Sequence, residues 1–221
     1  MNKKEKNSRR DFLRAIAPVA LLGALTPANA KAADSRDINR PDIIPERRKQ
    51  TVRASAITPP GSGSLEKFKN CCVGCQLCAG ACPNGVLTTA GASIRPELTF
   101  EYGYCRPNCS KCGEVCPADA IDALTPAQKK TIKIGSASVD FSLCVVHTDK
   151  KQCSACQRIC PNQAISLIPA GTAYEGLKRP FVDQARCSGC GACEYICAAR
   201  PIAAIQVSGL PAHEKLASRD D

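Results

Sequence analysis

Sixteen of the seventeen cysteines stand in four runs, at intervals that could hold iron and sulfide. The first run is Cys72, Cys75, Cys78 and Cys82 with Pro83 behind it, an unbroken C-x2-C-x2-C-x3-C-P. The second is Cys105, Cys109, Cys112 and Cys116 before Pro117, with one extra residue in its first gap. The third is Cys144, Cys153, Cys156 and Cys160 before Pro161, with eight residues in that gap. The fourth is Cys187, Cys190, Cys193 and Cys197, regular again but followed by Ala198. This is the ligand spacing of bacterial-type 4Fe-4S clusters. Four complete sets predict four clusters.

The chemistry asks for these residues at these intervals. A cubane presents one open site on each iron, and soft thiolates match it. Two-residue gaps curl the backbone around one cube, so three thiolates reach three of its irons. The fourth lies beyond the curl, and in two-cluster ferredoxins it crosses to the other cluster. Proline after it has no N–H and a fixed φ, which suits a turn leading away from the cube. Zinc ribbons use paired C-x2-C units with a longer gap between them. Disulfide frameworks, which an exported chain would favour, scatter their spacings and do not repeat one run four times. No C-x-x-C-H occurs, so covalent haem is excluded.

The elements that must position these thiols are short. Closing cysteines recur 34, 44 and 37 residues apart, and each precedes an apolar stretch. These stretches are Val86-Leu87, Ala120-Ile121, Ala164 to Ile168, and Ile202 to Val207. Strand-like segments, Thr131 to Ile134 and Pro180 to Val182, precede the third and fourth runs. Ser64 is placed to cap a short helix bearing Leu65 and Phe68. The pattern predicts an α+β fold: two tandem dicluster ferredoxin-like modules, with short hairpins and one-to-two-turn helices carrying the last cysteines. The four-cluster domain is expected over residues 65–210. A Pro-rich linker is expected over 31–64, and a polar, frayed tail over 211–221. With no tryptophan, one methionine and nine aromatic residues, an ordinary core is thin, so folding is expected to depend on the clusters.

Residues 1–30 read as an export signal. Ser8-Arg9-Arg10-Asp11-Phe12-Leu13-Arg14 matches the twin-arginine pattern, an apolar stretch runs from Ala15 to Leu25, and Ala28-Asn29-Ala30 offers a cleavage site. The stretch is interrupted by Pro18 and Gly23 and is short for a membrane span. The twin-arginine route carries folded proteins, so clusters assembled in the cytoplasm can reach the periplasm. The mature chain is expected there, soluble or peripherally attached to a membrane. Its charge is deceptive. The formal +10 includes six basic and two acidic residues in 1–30, so cleavage leaves +6. Four clusters, each about −2 with its thiolates, bring the loaded protein to about −2. A nucleic-acid role loses its basis.

Three points stay open on spacing alone. Runs one and four are regular and runs two and three both have a displaced first cysteine, so like is expected to pair with like. That nested arrangement puts Cys197 with Cys72, Cys75 and Cys78, and Cys82 with Cys187, Cys190 and Cys193. It puts Cys160 with Cys105, Cys109 and Cys112, and Cys116 with Cys144, Cys153 and Cys156. Tandem pairing is the alternative. Cys71 is left over, as a small buried thiol or as a wider-gap substitute for Cys72. His147 faces either solvent or a cluster sulfur.

The constellation resembles the NapG/MauM-type ferredoxins. The matching elements are the twin-arginine signal, Pro59-Pro60-Gly61 before the first run, the stretched third run, and Cys187-Ser188-Gly189-Cys190-Gly191-Ala192-Cys193-Glu194. The second run departs from that pattern, with gaps of three and then two. The resemblance implies an electron carrier between a membrane quinol-oxidising donor and a periplasmic reductase. The chain is also similar to iron–sulfur subunits of exported molybdenum oxidoreductases, a likeness that implies nested pairing and an enzyme complex. A purely structural role for the clusters is the third reading. With no nucleotide fingerprint and no open metal position, the sequence predicts a carrier without a catalytic site or small-molecule substrate.

Overall fold

The computed structural model describes residues 53, 55–89 and 93–217. The export signal, its cleavage site and most of the expected linker lie outside the described residues.

The thiol runs impose brevity on the fold. In run one, Gly74 (φ 71°) and Gln76 (φ 64°) flank Cys75 in the left-handed region; in run four, Gly189 (φ 76°) and Gly191 (φ 78°) flank Cys190. Two left-handed residues around one cysteine turn the chain back on itself, and a single helical turn follows at once. These turns are α2 (Leu77–Gly80), after α1 (Leu65–Cys71), and α7 (Ala192–Ile196). Runs two and three have α3 (Lys111–Glu114) and α6 (Ala155–Ile159) in the same place. Each of these helices carries the third cysteine of its run. The closing cysteines lie just past the helix ends, one step later than the expected helices would put them.

After each closing cysteine the chain turns again. Gly85, Asp119 and Gln163, each three residues on, have positive φ. Gly85 and Gln163 donate back to the carbonyls of Cys82 and Cys160, both at 3.2 Å. The next residues, Val86, Ala120 and Ala164, are all buried. In run four, which lacks the proline, the buried counterpart is Ala204, three residues later.

Strands β1 (Leu87–Thr89) and β2 (Pro96–Leu98) form one hairpin, with Leu87 opposite Leu98. After α4 (Pro126–Lys130), strand β3 (Ile132–Val139) leads into run three, which includes α5 (Val145–Thr148). Strands β4 (Ile165–Pro169) and β5 (Lys178–Val182) form the second hairpin, with Ile165 opposite Val182. The third pair is not a hairpin: β3 lies antiparallel to β6 (Ile205–Lys215), from Val139↔Ile205 to Ile132↔Lys215.

Two expected boundaries are corrected. Residues 211–215 are strand, because β6 runs to the start of β3 and His213 is held by Gly63 and Thr58. The end of the presumed linker is core: Ile57 and Ser62 have no exposed surface. Ile57 accepts from Leu98 N–H at 2.9 Å, and Gly61 accepts from Asp122 N–H at 3.0 Å. Prolines read as linker residues here fix an extended segment that is laid against other backbone. Ser64 caps α1 as expected, accepting from Lys67 N–H. Among the described residues no helix is long and apolar enough to cross a membrane.

The main core brings Phe68, Leu98, Phe100, Ile134, Ile205 and Val207 together with cysteines of all four runs. Phe100 packs so closely on Gly191 that an added Cβ would stand 2.3 Å from its ring. Gly191→Ala combines that overlap with a disfavoured φ and is expected to cost about 2–3 kcal/mol. Loss of visible absorbance on heating should then move down by about 5–10 °C.

His213 supplies a local pH dependence. Burial lowers its pKa to about 4. A neutral ring in the fold and an ordinary one in the open chain, titrating near about 6.5, mean that acid favours opening. This contribution to stability is present above about pH 6.5 and is lost as pH falls towards 4. Hydrogen-exchange protection of residues 211–215 should weaken over that window and become flat in His213→Asn.

Candidate metal centres

The closing thiol of each run lies beside the first three thiols of its neighbour in the chain. Cys82, Cys105, Cys109 and Cys112 line one cavity. Cys160, Cys187, Cys190 and Cys193 line another. The reciprocal pairs agree: Cys116 stands near Cys78, and Cys197 stands near both Cys144 and Cys156. Helices α6 and α7 pack together, as do α2 and α3. The nested expectation is therefore corrected to a tandem one. Matched spacing irregularities proved a poor guide, because the extra residues are taken up locally. Arg106 to Asn108 loop out of run two, and α5 with the residues after it fills the gap in run three.

All seventeen cysteines are free thiols. Among the described residues no three cysteine, histidine, aspartate or glutamate side chains converge as one metal ion requires. The thiols instead stand around cavities, and an all-thiol set of four fits the four irons of a cubane. Burial dominates their electrostatics. It pushes the Cys112, Cys156 and Cys190 thiols up to about 12 and Cys193 well above its ordinary value, with neighbouring thiols adding to the shift. Backbone amides oppose it: Ala79 lowers Cys78, Gly113 lowers Cys112, and Val146 and His147 lower Cys144. Closing thiols receive amides as well, Cys160 from Ala164 and Cys197 from Ala204, both at 3.3 Å. Burial keeps the empty Cys112, Cys156 and Cys190 thiols protonated; as iron ligands they would be thiolates, a charge that amides aimed at sulfur stabilise.

One group that the spacing could not reveal is Lys129. Burial pushes the Cys105 thiol up, and the Lys129 charge pulls it down. The lysine is buried, lines the cavity of Cys82, Cys105, Cys109 and Cys112, and its Nζ lies 3.2 Å from Cys105 Sγ. It also donates to the carbonyls of Arg106, at 2.7 Å, and Cys109. The capping box of Thr125 and Gln128, with Pro126 at the first turn, sets the helix that aims it. The T-x-x-Q pattern was visible; the direction of the lysine was not.

His147 serves Cys144 only through its backbone amide, and its ring is engaged elsewhere. Its Nδ1 meets the Tyr174 hydroxyl at 2.5 Å, and its ring meets Phe141 edge-on. Cys71 is half-buried at the end of α1, packed on the main core beside Cys72.

The 4Fe-4S dicluster domain family matches this chain twice, over residues 71–120 and 151–200. The first match spans runs one and two, and the second spans run four with all of run three except Cys144. The protein is thus a ferredoxin-type iron–sulfur protein with four 4Fe-4S clusters. It is 35% identical to the methylamine utilization ferredoxin-type protein MauM of Paracoccus denitrificans, over 66% of this chain and 68% of that protein. It is 30% identical to MauM of Methylorubrum extorquens, over 66% of this chain and 70% of that one. To the ferredoxin-type protein NapG of Escherichia coli it is 28% identical, over 88% of this chain and 83% of that one. The chain belongs to the MauM/NapG family of ferredoxin-type proteins.

Loading should consume iron and release protons. About sixteen iron and sixteen sulfide per chain are expected. Because burial holds the empty Cys112, Cys156 and Cys190 thiols up to about 12, iron competes with a proton at each of these sulfurs. Below that value every further step of acidification weakens loading. Chelator extraction should therefore speed up as pH falls, followed by the fall in visible absorbance.

Proposed function

We propose that this ferredoxin-type electron-transfer protein works in the periplasm, relaying electrons from a membrane quinol-oxidising donor to a periplasmic oxidoreductase. We assign its ligands in tandem. Cys72, Cys75, Cys78 and Cys116 form site I, and Cys105, Cys109, Cys112 and Cys82 form site II. Cys144, Cys153, Cys156 and Cys197 form site III, and Cys187, Cys190, Cys193 and Cys160 form site IV. The path then runs I–II–IV–III.

One observation carries this order. The amide of Cys105 donates to the carbonyl of Cys190 at 2.9 Å. A ligand residue of one module is thereby bonded through its backbone to a ligand residue of the other. The clusters supply reversible one-electron storage. The chain's own part is to hold sulfur, exclude water and keep the sites in series. Cys105 and Cys190 are neighbours at the crossing, while Cys75 is exposed. Val73 and Leu77, also exposed, flank it. Site I is accordingly a point where a partner can exchange electrons. Export rests on the twin-arginine pattern of Ser8 to Arg14 alone, and a redox partner outside this chain on analogy with the ferredoxin-type proteins MauM and NapG.

Cys82→Ser tests the assignment. Tandem ligation makes the site of Cys105, Cys109 and Cys112 lose a thiolate, with a changed reduced-state electron paramagnetic resonance signal. Under nested ligation the site of Cys187, Cys190 and Cys193 changes instead. Cys105→Ser should disturb the same signal as Cys82→Ser, and that coincidence decides the matter. Relay is tested by mixing the oxidised protein with quinol and membranes. Bleaching of its visible absorbance is expected, and no bleaching overturns the quinol-oxidising donor.

A further inference from the structure

We propose that Lys129 is a fixed positive charge that raises the reduction potential of site II and makes it the resting place of an electron before the crossing to the second module. The inference rests on the ligand assignment above. Reduction adds a negative charge to a thiolate-ligated cluster, so a cation touching a ligand sulfur favours the reduced form. Lys129 meets that condition through geometry. Its Nζ stands 3.2 Å from Cys105 Sγ. Its remaining donors go to the Arg106 and Cys109 carbonyls, which lie in the same run and orient the ammonium. The residue is 8% exposed, so solvent screens the charge little.

Two comparisons single it out. Lys133 is buried to a similar degree, but it donates to the Gln184 carbonyl and lies 3.7 Å from the Glu214 carboxylate. Lys129 has no carboxylate partner among the described residues, so its counter-charge is the sulfur itself. The influences on the Cys78, Cys144, Cys156, Cys190 and Cys193 sulfurs are burial, backbone amides, Ser188 and other thiols, and the Arg200 guanidinium at site III donates to the Cys197 carbonyl. Position adds the consequence. Cys105, the sulfur that Lys129 touches, belongs to the residue bonded to Cys190. An electron held there waits at a backbone bridge between ligands of the two modules.

The test is a redox titration of the loaded full-length chain followed by electron paramagnetic resonance. Lys129→Met removes charge and donors. Lys129→Gln keeps an amide able to reach the carbonyls, and Lys129→Arg keeps the charge. In the Met and Gln variants one of the four reduction steps should move to lower potential. The expected change is at least tenfold in the reduced-to-oxidised ratio, or ~59 mV for one electron. The moved step should be the one that Cys82→Ser disturbs. Lys129→Arg should stay near the wild type, and Lys133→Met should move no step. Four unmoved steps with full iron content overturn the proposal. So does loss of about four iron in both Met and Gln variants with full loading in Arg, which makes the lysine a structural strut. Failure of the ligand assignment is distinguishable, because it shows in the cysteine variants before any lysine is changed.

Discussion

In the proposed tandem ligation no run of cysteines completes a site by itself. Each curl brings three thiols to one place, and the fourth must arrive from the neighbouring run. This exchange makes two runs a single folding unit and explains why the elements are so short. A helix need only last long enough to carry the third cysteine, as α2, α3, α6 and α7 do, before the chain turns to deliver the closing one. The turns after Cys82 and Cys160 close on the cysteine carbonyl itself. Ligation, turn and hydrogen bond are therefore set by the same few atoms. The apolar residues that follow, Val86, Ala120, Ala164 and Ala204, are small or branched and fully packed, because the space beside a cluster is narrow.

Much of this was legible in the residues. Ligand type, run number and the α+β repeat follow from spacing, since three thiols at two-residue gaps admit few geometries. The Ser64 cap, the start of β3 and the end of β5 were legible too, through side-chain chemistry and strand-like residues. What escaped was non-local. Nothing around Pro59-Pro60-Gly61 announces that a carbonyl there will accept from Asp122, and nothing in Pro211 to Lys215 announces pairing with Ile132 and Lys133. Both segments have polar, proline-bearing composition, which describes a linker and an edge strand equally well. Cluster pairing failed for a related reason. Gap length reports how much chain must be stored outside a curl, and two loops of unequal length can serve the same module.

Electrostatics explains why buried charged groups occur where they do. The loaded sites place several negative units in a small interior, and burial alone would oppose each of them. The chain answers with directed dipoles and a cation: amides at Cys78, Cys112, Cys144, Cys160 and Cys197, and the Lys129 ammonium at Cys105. Amide donors cost no desolvation of a full charge, so they suffice where a site only needs to hold its thiolates. A full cation is justified where a site must differ from its neighbours.

The segment ahead of the first run binds the two modules into one structure. Arg53 pairs with the buried Glu194 carboxylate at 2.7 Å and lies 5.2 Å over the Phe100 ring. Phe100 in turn sits against Gly191, and Glu194 accepts from Val207 N–H at 2.7 Å. One residue thus touches the aromatic floor of the first module, a helix of the fourth run and the strand β6. A buried ion pair is weak evidence for net stability, since desolvation offsets much of its attraction. Its value here is conditional. With either module unformed, the partner of Arg53 or its aromatic support is missing, and a lone buried charge is strongly unfavourable. Ser55 and Ile57 repeat the pattern in backbone form, accepting from Gly209 in β6 and Leu98 in β2. The segment can be seated only when both modules are in place, so the series of sites and the polypeptide that joins them form together.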